Sequence, residues 1–248
     1  YIPSRMMCPP YVSAGDWNNM LYDQTTSIIK RHRPQLLIFD GVFPYSGLLS
    51  AAKTSPGLLS VWVQRKRKSS AAVQEKEKLF SHIIVPGEVT SGEQTSGKYF
   101  ENPFISIFPD EILTRKEVRD SWNVGRRSKL VYVQLGAGNI NEISPVLKQI
   151  IAIFSKRRDC FLVIAESIIA KNRLSNSNQT RILRDYPNAK YFRGFDLAIS
   201  ACGYNTFYEL MYMGVPSIFI PNENTASHDQ VERSMIAAQA GAGIVLRD

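Results

Sequence analysis

The residues best suited to chemistry lie between Asp196 and Gln230. Gly203 sits in a small-residue turn and would let the backbone approach a ligand closely. The amides of Tyr204, Asn205 and Thr206 open a helix, so they lack intrahelical acceptors and suit a phosphate. Glu209, one turn further, offers a carboxylate to a ribose diol. Asp229 and Gln230 open the next helix and offer polar groups to further hydroxyls. Diphosphate, ribose and sugar thus each have a partner. Both groups also fit a plainer role: Thr206 to Glu209 and Ser227 to Gln230 each have the spacing of a helix capping box.

The elements that must position these residues follow a regular grammar. Leu197 to Ser200 is a short apolar strand, and a helix is predicted from Thr206, with Phe207, Leu210, Met211 and Gly214 on one face. Pro216 to Ile220 is a second strand, followed by a helix from about His228. Strand, turn, helix and strand in alternation predict a parallel sheet with crossover helices, an α/β class. In such sheets ligands sit at the carboxyl ends of the strands.

The same alternation continues on either side. Leu130 to Leu135 is a strand leading into Gly136-Ala137-Gly138-Asn139. A dinucleotide fingerprint would need a third glycine at Asn141, so an NAD site is excluded on spacing. A helix is predicted from Pro145 to Arg158 with Ser144 as its cap, then strands at Phe161 to Ala165, Arg181 to Tyr186 and Gly243 to Leu246. In the first half, Asp16 to Lys30 reads as a helix and Gln35 to Phe39 as a buried strand ending at Asp40. A helix near Tyr45 to Lys53, strands at Leu58 to Val63 and His82 to Gly87, and a helical stretch to Phe80 complete that half. Residues 87–98 read as loop. Thr114 to Glu117 is a further capping box. The division expected is a partial first lobe with linker at 1–115 and a second lobe at 116–248.

With 248 residues, 44% hydrophobic and 21% charged, the chain can bury a sizeable core. No apolar run approaches a membrane span. Three isolated cysteines, Cys8, Cys160 and Cys202, fit reduced thiols in a cytoplasmic protein better than a disulfide frame. No Cys or His pair has metal-ligand spacing. The net charge of +8 includes runs at Arg65-Lys66-Arg67-Lys68, Arg126-Arg127 and Lys156-Arg157-Arg158. Such runs are most often solvated surface. Without interleaved aromatics they do not point to nucleic acid, and an anionic membrane surface is the better functional partner.

Gly203, Thr206, Glu209, Gly214, Pro216, Pro221, Asp229 and Gln230 stand at spacings that resemble the donor-binding domain of GT-B-fold glycosyltransferases of the family 28 type. That type includes the N-acetylglucosaminyltransferases that form lipid II. The match is specific over about Asp196 to Leu246 and extends more loosely back to Leu130. The resemblance implies a GT-B-like fold of two Rossmann-like lobes, the N-terminal one incomplete, with UDP-sugar bound chiefly by the second. The turn at Gly203 would hold the diphosphate, Glu209 the ribose, and Asp229 with Gln230 the sugar hydroxyls. Gly136, Gly138 and Asn139 would lie against the diphosphate, and Tyr186 would pack on the base.

The implied reaction is transfer of a sugar to a lipid-linked or saccharide acceptor hydroxyl with inversion, in cell-envelope or polysaccharide synthesis. No cofactor or metal beyond the UDP-sugar donor is implied, and the E-x7-E pair of retaining relatives is missing around Glu209. Asp40, ending a strand, is the candidate for acid–base chemistry, although it also fits a turn before Gly41. Hydrolysis or epimerisation of UDP-sugars on the same fold, or a non-catalytic donor-binding subunit, stays open beside transfer. No strand, glycine turn and helix precede Trp17, so the chain is expected to bind donor but to transfer slowly.

Overall fold

The computed structural model describes residues 8–41, 43–64, 70–89, 97–136, 143–166, 174–223 and 229–247. The chain divides into two units, Tyr1–Pro103 and Phe104–Asp248. The division precedes the expected boundary at 115–116 because Ile107 and Ile112 are buried in the second unit's core, with Ile105 and Leu113 packed against it.

The first unit runs α1 (Ala14–His32), β1 (Leu36–Asp40), α2 (Ser46–Lys53), β2 (Leu59–Val63), α3 (Ala71–Glu77), β3 (His82–Val85) and β4 (Tyr99–Phe100). Ser13 caps α1 in a reciprocal box with Asp16. The four strands are parallel in the order β1-β2-β3-β4. Trp62 of β2 is fully buried, and its indole donates to the Gly41 carbonyl at 2.9 Å. Among the described residues the expected buried strand at Gln35 to Phe39 is instead an edge: Leu36 is 47% and Ile38 60% exposed. An unbroken apolar run cannot tell an edge strand from a central one, because neighbours decide it. The two-residue β4 lies just past the stretch expected to be loop.

The second unit runs α4 (Arg115–Ser121), β5 (Lys129–Gln134), α5 (Ser144–Phe154), β6 (Cys160–Ala165), β7 (Thr180–Leu183), a 3-10 segment (Asn188–Gly194), β8 (Leu197–Ser200), α6 (Tyr204–Tyr212), β9 (Ser217–Phe219), α7 (Asp229–Gln239) and β10 (Gly243–Val245). Its six strands are parallel in the order β10-β9-β8-β5-β6-β7. Along β5, Leu130 and Tyr132 enter one core and Val131 and Val133 the other, so the central strand is covered on both faces. The expected box at Thr114 and Glu117 is present. Ser144 is the first residue of α5 and Ile143 its cap, and α5 stops at Phe154, short of the expected Arg158. Among the described residues no helix is long and apolar enough to cross a membrane.

Asp196 is the polar hub at the amino end of this sheet. Its carboxylate meets Arg115 at 2.7 Å and Arg119 at 3.4 Å and accepts from the Leu130 amide at 2.8 Å. Burial opposes its charge, but the Leu130 and Arg115 bonds prevail and hold the carboxyl below its usual range.

Candidate functional site

The strand order fixes where a ligand can sit. From β5 the chain winds outward through β6 to β7, then returns to build β8, β9 and β10 on the other side. The topological switch point therefore lies between β5 and β8, at their carboxyl ends. Gln134 and Ser200 are partners in register there, and the Ala201 amide donates to the Gln134 carbonyl at 2.8 Å. Gly136 follows β5 and Gly203 follows β8 at this point.

Gly136 has φ +94°, a left-handed conformation that a side chain would strain. Gly138 and Asn139 lie outside the described residues. Gly203 is different: its φ is −65°, and a β-carbon built on it would meet no atom within 4 Å. Neither backbone strain nor packing within the chain demands glycine there. Open space over the turn is what a closely approaching ligand requires.

Helix α6 begins at Tyr204 with Gly203 as its cap, two residues before the expected start. Tyr204 secures the extra residues. Its ring lies 4.7 Å from Tyr208, and its hydroxyl accepts from the Phe104 amide at 3.4 Å. The pair stands at i and i+4, a spacing visible in the sequence. Phe207 makes the first backbone bond of the helix, to the Gly203 carbonyl at 2.9 Å. The amides of Tyr204, Asn205 and Thr206 thus occupy the first turn, ahead of the helical ladder, at the positive end of the helix dipole.

The earlier start overturns the capping box at Thr206 and Glu209. Thr206 is already inside the helix, and its hydroxyl donates to Gln134 Oε1 at 2.7 Å. Glu209 is 7% exposed, and its Oε1 accepts from the Ser106 hydroxyl at 2.5 Å. Burial raises its carboxyl above the ordinary value, against the opposing effect of the Ser106 bond. Its second oxygen has no protein partner among the described residues.

Behind the turn, α7 contributes Arg233, only 3% exposed. Its guanidinium donates to the Cys202 carbonyl and lies 5.8 Å from the Tyr204 and Phe207 rings. Gln230, also on α7, accepts from the Asn222 amide at 3.0 Å and so braces the loop after β9. Asp229 is the first residue of α7, but its side chain and Ser227 lie outside the described residues. Ser106, Gln134 and Arg233 were not foreseen. Gln134 had a visible signal, a polar residue closing the apolar run L-V-Y-V.

Two further expected residues lie on other elements. Tyr186 follows edge strand β7, which does not reach residue 186 as expected. Its ring is 41% exposed and its hydroxyl donates to the Glu166 carbonyl. Asp40 belongs to the first unit, exposed at the carboxyl end of β1 and without a side-chain partner among the described residues. His82 stands at the amino end of parallel β3 and meets the Tyr99 ring edge to face. The run at residues 65–68 and His228 lie outside the described residues.

Residues 169–248 match the glycosyltransferase family 28 C-terminal domain. The matched residues lie wholly within the second unit. The match takes in β7 to β10 and so contains Gly203, Glu209, Asp229 and Gln230, while Gln134 and Gly136 precede it. The chain is 25% identical over 228 residues to the UDP-N-acetylglucosamine–N-acetylmuramyl-(pentapeptide) pyrophosphoryl-undecaprenol N-acetylglucosamine transferase of Thermotoga sp. (strain RQ2), covering 89% of this chain and 61% of the relative. The transferase of the same description from Alkaliphilus oremlandii is 23% identical over 250 residues, covering 91% of this chain and 63% of its own length. The chain thus spans about three-fifths of the curated relatives it matches, 61% in the first case.

Among solved structures, the spinosyn rhamnosyltransferase SpnG complexed with thymidine diphosphate aligns with a TM-score of 0.58 at 18% identity, covering 94% of this chain and 66% of its own. MurG of Acinetobacter baumannii aligns at 0.56 and 13% identity, covering 95% and 66%. At these identities the likeness shows the fold, which is that of GT-B glycosyltransferases.

Proposed function

We propose that this chain binds a UDP-sugar at the β5–β8 switch point and transfers the sugar to an acceptor hydroxyl with inversion. The observation that carries this reading is Gly203 within the residues that match the family 28 domain. Open space over its α-carbon meets the first-turn amides of α6. The diphosphate lies over that turn. Glu209 takes the ribose through its second oxygen, and Asp229 and Gln230 serve the sugar. Gly136, with Gly138 and Asn139 after it in the sequence, is assigned to the diphosphate, and the exposed Tyr186 to the base.

In the reaction, a carboxylate base takes the proton from the acceptor hydroxyl as its oxygen attacks the anomeric carbon. Asp40 is the candidate for that base. The bond to UDP breaks on the opposite face, and the amides and helix dipole stabilise the departing diphosphate without a metal. The names of the similar transferases favour an N-acetylhexosamine donor, a lipid-linked acceptor and a place in cell-envelope synthesis. The net charge of +8 suits a cytoplasmic protein held against an anionic membrane surface.

Calorimetric titration with UDP, UDP-N-acetylglucosamine and NAD tests the reading. UDP and the UDP-sugar should bind and NAD should not. UDP release should rise when a lipid-linked acceptor is added. Binding of NAD without UDP would overturn it.

A further inference from the structure

A polar chain, buried at Asn188 and Tyr132 and half-buried at Gln134 and Thr206, runs to the switch point and has no role in the reading above. Asn188 Nδ2 donates to the Tyr132 hydroxyl at 3.2 Å, and that hydroxyl donates to Gln134 Oε1 at 3.1 Å. The Thr206 hydroxyl, from the first turn of α6, donates to the same oxygen at 2.7 Å. Both bonds to Gln134 therefore use its oxygen, leaving its NH2 group without an acceptor among the described residues. Gln134 follows Leu130 and Tyr132 on one face of β5, which places its carboxamide against the opening of α6.

The chain is held in one direction. Tyr132 is fully buried, and burial pushes its phenol up, so it stays a hydrogen-bond donor. Asn188 is 8% exposed, and its side-chain oxygen finds no donor among the described residues. A buried carbonyl left unmet is unfavourable and calls for an explanation. Asn188 spends its amide on Tyr132, which orients the next two hydrogen bonds. The product is a carboxamide whose oxygen is tied down and whose donor is presented.

We infer that Gln134 is a binding residue for the diphosphate, its NH2 group donating to a phosphate oxygen at the first turn of α6. The inference rests on the proposed donor site and adds a side-chain donor to its amides. It makes Thr206, Tyr132 and Asn188 positioning residues that act through Gln134.

Gln134→Glu tests this, because a carboxylate still accepts from Thr206 and Tyr132 but turns a second oxygen toward the ligand. Affinities for UDP, uridine and inorganic pyrophosphate are measured by calorimetry, with melting temperature recorded. UDP and pyrophosphate should weaken by about tenfold or more, the scale of a lost bond to a charged group, while uridine binding and melting stay unchanged. Gln134→Met, which removes the donor without adding charge, should also weaken both phosphates. It decides the matter should the glutamate variant fail to fold. Unchanged pyrophosphate affinity in both variants, or an equal loss for uridine, would overturn the inference. A native chain that binds pyrophosphate but not UDP would sink the UDP-sugar reading while still testing Gln134.

Discussion

The two units use the same parallel α/β grammar and treat their sheets differently. In the first, edge strand β1 exposes Leu36 and Ile38, at 47% and 60%. In the second, Leu130, Tyr132 and Val133 of central β5 are fully buried. The polar groups at the strand ends differ as well. In the first unit, Gln64 just after β2, Glu77 ending α3 and Lys98 just before β4 satisfy one another at 2.6–2.9 Å. In the second, the carboxyl ends of β5 and β8 carry an open glycine turn and an unspent Gln134 donor. Alternation builds either sheet; groups left unspent at a switch point are why the donor site is proposed in the second.

The largest effect expected is on stability. Asp196→Ala removes the acceptor shared by Arg119, whose side chain is 7% exposed, and the Leu130 amide. Breaking a buried pair from one side should cost about 3–5 kcal/mol in denaturant unfolding of the second unit. Its carboxyl is held below the unfolded value, so its contribution is full above that value, about 3.9, and is lost as pH falls through the folded pKa. Glu77→Ala in the first unit, where both ion-pair side chains are 17% exposed, should cost less, about 1–3 kcal/mol. Equal costs would erase the contrast between the units.

A reciprocal pair of variants comes next. Gly203→Val should weaken UDP binding about 100-fold, or ~2.7 kcal/mol. Melting should hardly move, since the added side chain meets no protein atom near its β-carbon. Asp40→Asn should leave UDP affinity within about twofold and lower sugar transfer about 100-fold, the scale of a lost general base. Gly203→Val that binds UDP normally would remove the turn from the site. Asp40→Asn with native turnover would remove Asp40 from the chemistry.

What the sequence made legible follows from the range of the forces involved. Strand and helix positions depend on local periodicity, and Leu197–Ser200 was placed to the residue. Helix openings depend on side chains from elsewhere. The box spacing at Thr206 and Glu209 was genuine, yet Tyr204 packs on Tyr208 and receives the Phe104 amide, drawing the start forward. The edge position of β1 was hidden because burial of an apolar run is set by its neighbours. The glycines, Glu209 and Gln230 could be named from type and spacing. Ser106 and Arg233 could not, since both reach the site from distant parts of the chain.

The smallest predicted effect sharpens the role of Glu209. Burial raises its carboxyl, and Ser106 occupies one of its oxygens, so the proposed ribose contact would use the other. An ionised carboxylate accepts at that oxygen, whereas the protonated form can place its hydrogen there and lose the bond. UDP affinity should therefore fall as pH is lowered through the raised pKa, and the loss should begin at a higher pH than an ordinary glutamate, about 4.3, would give. The stability effect has the opposite sign. A folded pKa above the unfolded one favours the fold below the unfolded value, and that benefit is lost as pH rises through the folded pKa. Lowering the pH would thus relieve the buried charge while weakening the ligand. Glu209→Gln should bind UDP several-fold more weakly, roughly 1 kcal/mol, and show no such pH dependence. Calorimetry on both proteins from about pH 8 to about pH 5 separates the cases. Parallel curves would make Glu209 a support for Ser106 alone, and would move the ribose to another part of the switch point.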